Sequence, residues 1–183
     1  KAGLLTGLYA LRALRAAGIP IRAEIVLVAN PDEELASPES TPIIEREARG
    51  ADVALVLEGA RANGDIVSSR KGVADITVRI HGRAAHAGVE PEKGRSAIVE
   101  AAHKTLALAA LNDRWPGVTL NVGVVSGGTR PNVVPEEATL HLDLRAIEPA
   151  TMALAEAEIE QIAAMSSVPD VTCTLEHGGR FGP

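Results

Sequence analysis

The stretch GVADITVRIHG, residues 72–82, decides the fold. Its residues follow a period of two, in which apolar side chains alternate with Asp75, Thr77, Arg79 and His81. This alternation is typical of a β-strand and not of a helix, whose apolar residues recur every three or four positions. We therefore predict a strand here, and it opens a domain that continues downstream.

After this strand the sequence switches between the periods of helices and of strands. The order is strand, helix, strand, strand, helix, strand, which is the split βαβ arrangement of ferredoxin-like domains. We predict a four-stranded antiparallel sheet with both helices on one face. The later segments are a helix over 96–111, strands at 117–128 and 137–146, a helix over 149–165 and a strand at 170–178.

The residues upstream of this strand are organised differently. Leucines spaced by three or four residues over positions 4–14 predict a helix. Residues 21–29 and 51–59 are apolar in the way of buried parallel strands, and a short helix over 40–49 separates them. We expect helix–strand–helix–strand, a part of a larger α/β sheet whose other strands lie outside this chain.

The change of pattern divides the chain into three parts. Residues 1–70 are predicted to be a partial α/β domain, and residues 71–178 a ferredoxin-like α+β domain. Residues 179–183 are expected to be a linker that returns to the first domain. The predicted fold class is therefore α/β.

Composition excludes several classes of function. The formal net charge of −6 and the pI of about 5.4 argue against nucleic acid and anionic membranes as partners. Aromatic residues make up only 2% of the chain, which argues against a stacking platform for bases. No apolar run approaches the roughly 20 residues that span a bilayer. The single Cys173 excludes an internal disulfide, and its alternating context favours a core position.

Acidic residues follow both predicted strands of the first part. Asp32, Glu33 and Glu34 come just after the first strand, and Glu58 ends the second. The carboxyl ends of parallel strands meet at one edge of a sheet, where open α/β sheets bind ligands. Glu34 and Glu58 therefore suggest a metal site, with an acidic helix N-terminus as the alternative.

The ferredoxin-like part contains three further candidates. His86 is surrounded by small residues in HGRAAHAG, residues 81–88, and is either functional or simply solvated. Asn132 lies in a predicted turn, and Arg145 ends a predicted strand. Together they could clamp a carboxylate, because an arginine fork binds it through two hydrogen bonds. Taken singly, each is equally typical of a turn or of a solvated strand end.

These segments together resemble the di-zinc amidohydrolases of the aminoacylase and carboxypeptidase G superfamily. That family also includes acetylornithine deacetylase and succinyl-diaminopimelate desuccinylase. RAAHAGVEPEKGRSAI and TRPNVVP are most similar to its glutamate carboxypeptidase branch. The matching segments occur in the family's order over nearly the whole chain: KAGLLTGLYALRAL, NPDEELASPES, VLEGAR, RKGVADITVRIHGRAAHAG, GGTRPNVVPEEATLHLDLR and GGRFGP.

The resemblance implies a role for the acids of the first part, which would belong to a catalytic domain. Glu33 corresponds to the general base that takes a proton from a metal-bridging water. Glu34 corresponds to a ligand of one zinc ion and Glu58 to a ligand of the other. Zinc lowers the pKa of bound water and polarises the amide carbonyl, so a neighbouring carboxylate can act as base near neutral pH.

The resemblance also implies that the ferredoxin-like part is a lid, or dimerisation, domain. His86 corresponds to a histidine that reaches into the partner subunit's site and steadies the tetrahedral oxyanion. Asn132 and Arg145 correspond to lid residues that hold the substrate's carboxylate. We therefore expect a homodimer that forms through the lid domain.

The expected parent protein hydrolyses an amide next to a free carboxylate, as a carboxypeptidase or an N-acyl-amino-acid deacylase; a deacylase of biosynthetic type is the alternative enzyme. Its substrate would be an acyl-amino acid or a peptide. Its cofactor would be two zinc ions, with cobalt or manganese as alternatives. A cytoplasmic location is favoured over the periplasm.

The resemblance further implies that this chain is an internal fragment. The family's bridging aspartate would directly precede Lys1, and two histidine ligands would lie outside the chain. Two of the usual five protein ligands remain, so we expect the isolated chain to be inactive and without metal. An alternative from another class is that the isolated chain is a non-catalytic dimerisation or binding module.

Overall fold

The computed structural model describes residues 2–35, 37–59, 61–112 and 114–182. It divides the chain into two compact units, Lys1–Val67 and Ser68–Pro183. The helices are α1 (Ala2–Ala16), α2 (Thr41–Ala48), α3 (Ala97–Ala109) and α4 (Pro149–Ala164). The strands are β1 (Gly72–His81), β2 (Ala85–His86), β3 (Thr119–Gly127), β4 (Val133–Val134), β5 (Glu137–Ala146) and β6 (Thr172–Phe181).

The second unit contains the predicted four-stranded antiparallel sheet. Strand β1 pairs with β5 on one side and with β6 on the other, and β3 pairs with β5. The strand order is therefore β3–β5–β1–β6, with β3 and β6 at the edges. Strands β2 and β4 form a separate two-stranded ribbon.

Helices α3 and α4 pack on the same face of this sheet, and the predicted ferredoxin-like fold is confirmed. The alternation that predicted β1 also divides the two faces: even-numbered residues of β1 and β5 point to the helices. The odd-numbered, mostly polar residues lie on the other face, called here the open face. The core consists mainly of Ala74, Ile76, Val78, Ile80, Leu140, Leu142, Leu144, Leu108, Met152 and Ile159.

A buried ion pair joins the two helices. Glu100 and Lys104 lie one turn apart on α3, and their side chains are 0% and 3% exposed. The Lys104 ammonium donates to the carbonyl oxygens of Ile162 and Met165 at the end of α4. The Glu100 carboxylate accepts two backbone amides of residues 167–168. Both charges therefore fix the end of α4 against α3.

Strand β6 continues beyond the predicted strand, which ended at Gly178. It runs to Phe181, with an irregularity in its pairing with β1 beside Asp75. A glycine suits this place, because a Cβ at Gly178 would lie 3.2 Å from the Cβ of Asp75. Residues 179–181 therefore belong to the sheet and not to the linker that we expected.

Strand β3 is an edge strand whose two ends differ. Near its start the Asn112 side chain bonds both backbone groups of Leu120: its amide donates to the carbonyl, and its oxygen accepts from the N–H, each at 2.7 Å. Further along, a bulge between Val122 and Val124 interrupts the pairing with β5. Val124 and Val125 are about half exposed. The later half of β3 is thus an apolar edge that can accept another strand.

In the first unit the two predicted helices form, but the predicted strands do not. Helix α1 lies close to Leu57, because a Cβ at Gly3 would lie 1.8 Å from the Leu57 carbonyl oxygen. Residues 21–29 and 51–59 are not paired into a sheet. A strand needs a hydrogen-bonded neighbour, and the described residues of this unit form none. Val56, at 81% exposure, shows that the apolar runs stay uncovered.

Among the described residues, no helix has the length and apolar character that crossing a membrane requires.

Candidate active site

Asp32 organises the acidic loop of the first unit. Its carboxylate accepts the amides of Glu39 at 2.8 Å and Ser40 at 3.1 Å, and also the Ser40 hydroxyl. The hydrogen bond from the Ser40 hydroxyl is the main reason that the pKa of Asp32 is lowered. Asp32 therefore fixes the loop to the start of α2, and this structural use of one acid matches the helix N-terminus that the sequence left open.

The other acids of the first unit face solvent. Glu33 and Glu34 form an exposed 3₁₀ turn with Leu35, and Glu58 is exposed as well. No group of three or more His, Cys, Asp or Glu side chains among the described residues is placed to hold a metal ion. A catalytic zinc site uses three protein ligands, so these residues do not form one by themselves. Lys1, which the resemblance places beside a further ligand, lies outside the described residues.

His86 lies on the short ribbon of the second unit. It pairs with Val133 of β4, and its imidazole is exposed. The Gly88 amide donates to Nδ1 of His86 at 3.2 Å. Because Nδ1 accepts this hydrogen bond, the proton of the neutral ring lies on Nε2. His86 can therefore present an N–H donor to a ligand.

The ribbon also brings Asn132 next to His86. The Ala87 amide donates to the carbonyl oxygen of Asn132 at 3.0 Å, so the two segments are joined directly beside both side chains. Asn132 is exposed like His86. The structure therefore places these two predicted site residues in one exposed patch, called here the ribbon patch.

Arg145 lies elsewhere, on the open face near the end of β5. Its guanidinium forms a two-bonded pair with Asp143: Nε lies 2.8 Å from Oδ1, and the second nitrogen lies 3.0 Å from Oδ2. This hydrogen-bonded pair lowers the pKa of Asp143. It also raises the pKa of Arg145, and the charge of Asp75 adds to that effect.

The ribbon patch and Arg145 lie at opposite ends of the sheet. His81, at the end of β1 that leads to the ribbon, pairs with Glu137, whereas Arg145 pairs with Val73 at the other end. The eight residue steps from 137 to 145 along β5 correspond to roughly 27 Å. Asn132 and Arg145 of one chain are therefore not brought together around one small carboxylate.

The sequence reasoning missed Asp143, the partner of Arg145. Its signal was present: residues two apart on a strand share a face, and the segment DLR places an acid and an arginine at this spacing. It also missed Asn112, which closes the edge at Leu120. No local pattern indicated that contact, because it depends on how the α3–β3 loop returns to the strand.

Comparison with known families identifies the class of the chain. The model of the M20 peptidase dimerisation domain family matches residues 68–170, which is more than half of the chain. The chain belongs to this family, and the match lies within the unit that carries the ribbon patch and Arg145. The predicted resemblance is thereby confirmed.

Named relatives agree with this class. Carboxypeptidase G2 from Pseudomonas sp. (strain RS-16) is 31% identical over 171 residues, which are 93% of this chain and 41% of that protein. One polypeptide of the p-aminobenzoyl-glutamate hydrolase from Escherichia coli (strain K12) is 46% identical over 65 residues, 35% of this chain and 15% of that polypeptide. These relatives are hydrolases, and the chain spans less than half their length.

A solved structure shows the same likeness. The aminobenzoyl-glutamate utilization protein from Klebsiella pneumoniae superimposes with a TM-score of 0.52 at 32% identity. The superposition covers 60% of this chain and 28% of that one.

Proposed function

We propose that the complete protein is a metal-dependent amidohydrolase that cleaves an amide next to a free carboxylate, and that this chain supplies its dimerising lid and part of its catalytic domain. The observation that carries the proposal is the family match over the second unit, together with His86 and Asn132 side by side on its ribbon. Relatives named as acting on aminobenzoyl-glutamate support an N-acyl-glutamate or a similar acyl-amino acid as substrate.

Glu33 is the proposed general base, and Glu34 and Glu58 are proposed as metal ligands. Their exposure suits these roles, since a base must reach water and a ligand must reach an ion. The described residues do not complete a metal site, so Glu34 and Glu58 need further ligands from elsewhere in the protein. Zinc is the metal that the family favours.

His86 is the proposed oxyanion stabiliser. The Gly88 amide holds Nδ1, which leaves Nε2–H as a fixed donor. A donor that is already oriented stabilises negative charge on a tetrahedral intermediate without further rearrangement. Asn132, in the same patch, is proposed to donate its side-chain amide to the substrate.

The proposed partner is a second copy of the chain. The open half of β3 exposes Val124 and Val125 beside free backbone groups. Ile98 lies next to this edge, because its Cδ1 would be 3.1 Å from a Cβ at Gly128, and Leu106 on the same helix is 72% exposed. An apolar strand edge of this kind favours pairing with an identical edge across a two-fold axis.

The test is an assay of the full-length, metal-loaded protein on N-acyl-glutamates and on matched amides that lack the free carboxylate. We expect turnover of the acids only. Glu33→Gln should abolish turnover and leave the metal content nearly intact, whereas Glu34→Ala should lose metal. Full activity of the Glu33→Gln variant would contradict the assignment of the base.

A second candidate follows from the missing metal cluster among the described residues. The chain by itself could serve as a dimerisation module without catalysis. Sedimentation of this chain alone distinguishes the two functions: a dimer that hydrolyses none of the acyl-amino acids above supports the module for the isolated chain.

A further inference from the structure

The fork of Arg145 is already occupied by a carboxylate of its own strand. Asp143 and Arg145 lie two residues apart and therefore on the same, open face of the sheet. Both nitrogens that face Asp143 are used, at 2.8 and 3.0 Å. This is the two-bonded geometry in which an arginine receives the carboxylate of a ligand.

The pair is also open to exchange. The side chains of Arg145 and Asp143 are 52% and 36% exposed, so a dissolved carboxylate can reach the guanidinium without opening the core. Exposed ion pairs are weak and form and break readily. Asp143 is therefore close enough to compete with a ligand, and too exposed to exclude it.

We infer that Asp143 is an internal competitor for the carboxylate-binding fork of Arg145: it occupies the fork in the free protein, and the substrate's carboxylate binds by displacing it. The inference rests on the proposed role of Arg145 in holding that carboxylate. Asp143 acts on affinity through Arg145 and is not itself a catalytic residue.

The expected size of the effect follows from the exposure of the pair. An exposed ion pair shifts an equilibrium by about 1.5- to 5-fold, so removing the competitor should tighten carboxylate binding by about this factor. Turnover at saturating substrate should not change, because Asp143 has left the fork in the bound state.

Asp75 provides a matched control. It lies directly opposite Asp143 in the register of β1 and β5, on the same open face, and its charge also acts on Arg145. Among the described contacts, however, Asp75 makes no hydrogen bond with Arg145. Asp75→Asn thus removes the same charge near the fork but leaves the competitor in place.

The experiment measures binding in this chain and kinetics in the full-length protein. N-acetylglutamate is titrated into this chain while the NMR resonance of the Arg145 Nε–H is followed, and KM and kcat are measured in the full-length enzyme. We expect Asp143→Asn to lower Kd and KM by about 1.5- to 5-fold relative to Asp75→Asn, with kcat unchanged. Asp143→Ser should behave like Asp143→Asn, which guards against a folding artefact.

Equal effects of the two asparagine variants would overturn the inference, because charge alone would then explain them. Weaker binding by Asp143→Asn would overturn it as well. Arg145→Ala separates this inference from the proposed function. If carboxylate binding survives in Arg145→Ala, the role of Arg145 is wrong; if binding is lost there while Asp143→Asn has no effect, only the competitor is wrong.

Discussion

Lys104→Met removes the positive half of the buried ion pair on α3 and tests what holds the two lid helices together. Methionine keeps most of the side-chain length, so the change deletes the charge and two hydrogen bonds, at 2.8 Å to Ile162 and 2.6 Å to Met165. It leaves Glu100, whose side chain is 0% exposed, without its counter-ion.

The magnitude follows from burial. Glu100 Oε1 lies 3.0 Å from the Lys104 ammonium, although this oxygen makes no well-aligned hydrogen bond, so the contact is chiefly ionic. Removing one partner of a buried pair typically costs about 3–5 kcal/mol. With a urea dependence of about 2 kcal/mol per molar, the unfolding midpoint should fall by roughly 1.5–2.5 M.

The pH dependence has a definite sign. Burial alone would raise the pKa of Glu100, but the amide of Val168, Lys104 and the amide of Ser167 outweigh it and leave that pKa lowered. A lowered folded-state pKa stabilises the protein above the unfolded-state pKa, and this contribution is lost as the pH falls through the folded value. Without Lys104 that pKa should rise, so acid should destabilise the Lys104→Met variant less than the original chain.

The assay is urea unfolding of the chain, followed by circular dichroism, with Glu100→Gln and the double variant completing the cycle. The double variant should lose less stability than the sum of the single variants, because it leaves no unpaired charge. Arg79→Met is the matched control: Arg79 makes a two-bonded pair with Glu176 that is about half exposed. It should cost no more than about 1 kcal/mol. If Lys104→Met costs no more than Arg79→Met, the reasoning about burial is refuted.

Three other predictions concern the loop, the edge and the site. Asp32→Ala should speed hydrogen exchange at the amides of residues 39 and 40; in the unchanged chain, acid should do the same, because the lowered pKa of Asp32 makes its stabilisation disappear as the pH falls through that value. Protection that survives in Asp32→Ala would contradict this role. Val125→Lys should convert the dimer to a monomer in sedimentation experiments, because a charge on an apolar edge opposes strand pairing; an unchanged dimer would place the interface elsewhere. Mixing His86→Ala with Glu33→Gln subunits of the full-length enzyme should restore activity if His86 acts across the dimer, whereas a mixture that stays inactive after confirmed subunit exchange would reject that role.

The lid was predictable because its signals are local. The period of two in β1 and β5 assigns each side chain to a face, and the helix that follows β1 has a serine cap: the Ser96 hydroxyl accepts the Val99 amide at 3.2 Å. The order of such elements then leaves few topologies. Its end was less predictable, because Gly178 and Gly179 are typical of a turn, yet β6 continues past them beside the bulge at Asp75.

The first unit shows what local signals leave open. Residues 21–29 and 51–59 have the apolar composition of buried strands, but composition does not provide a hydrogen-bonded neighbour. Candidate side chains could be named from sequence, whereas their mutual placement could not. That His86 and Asn132 share a ribbon, and that Arg145 lies at the far end, follows from pairing between residues distant in the chain.

This separation is itself an argument for a site built from two chains. In the antiparallel sheet the start of β3 lies beside Arg145, through the pair Thr119–Arg145, and its end lies beside Ala138, near the ribbon. If two copies of β3 pair across a two-fold axis, the end of each strand runs along the start of the other. The ribbon patch of one chain is thereby brought to the side on which the Arg145 of the other chain lies. Residues that one chain holds roughly 27 Å apart along β5 can thus serve one substrate only through the dimer.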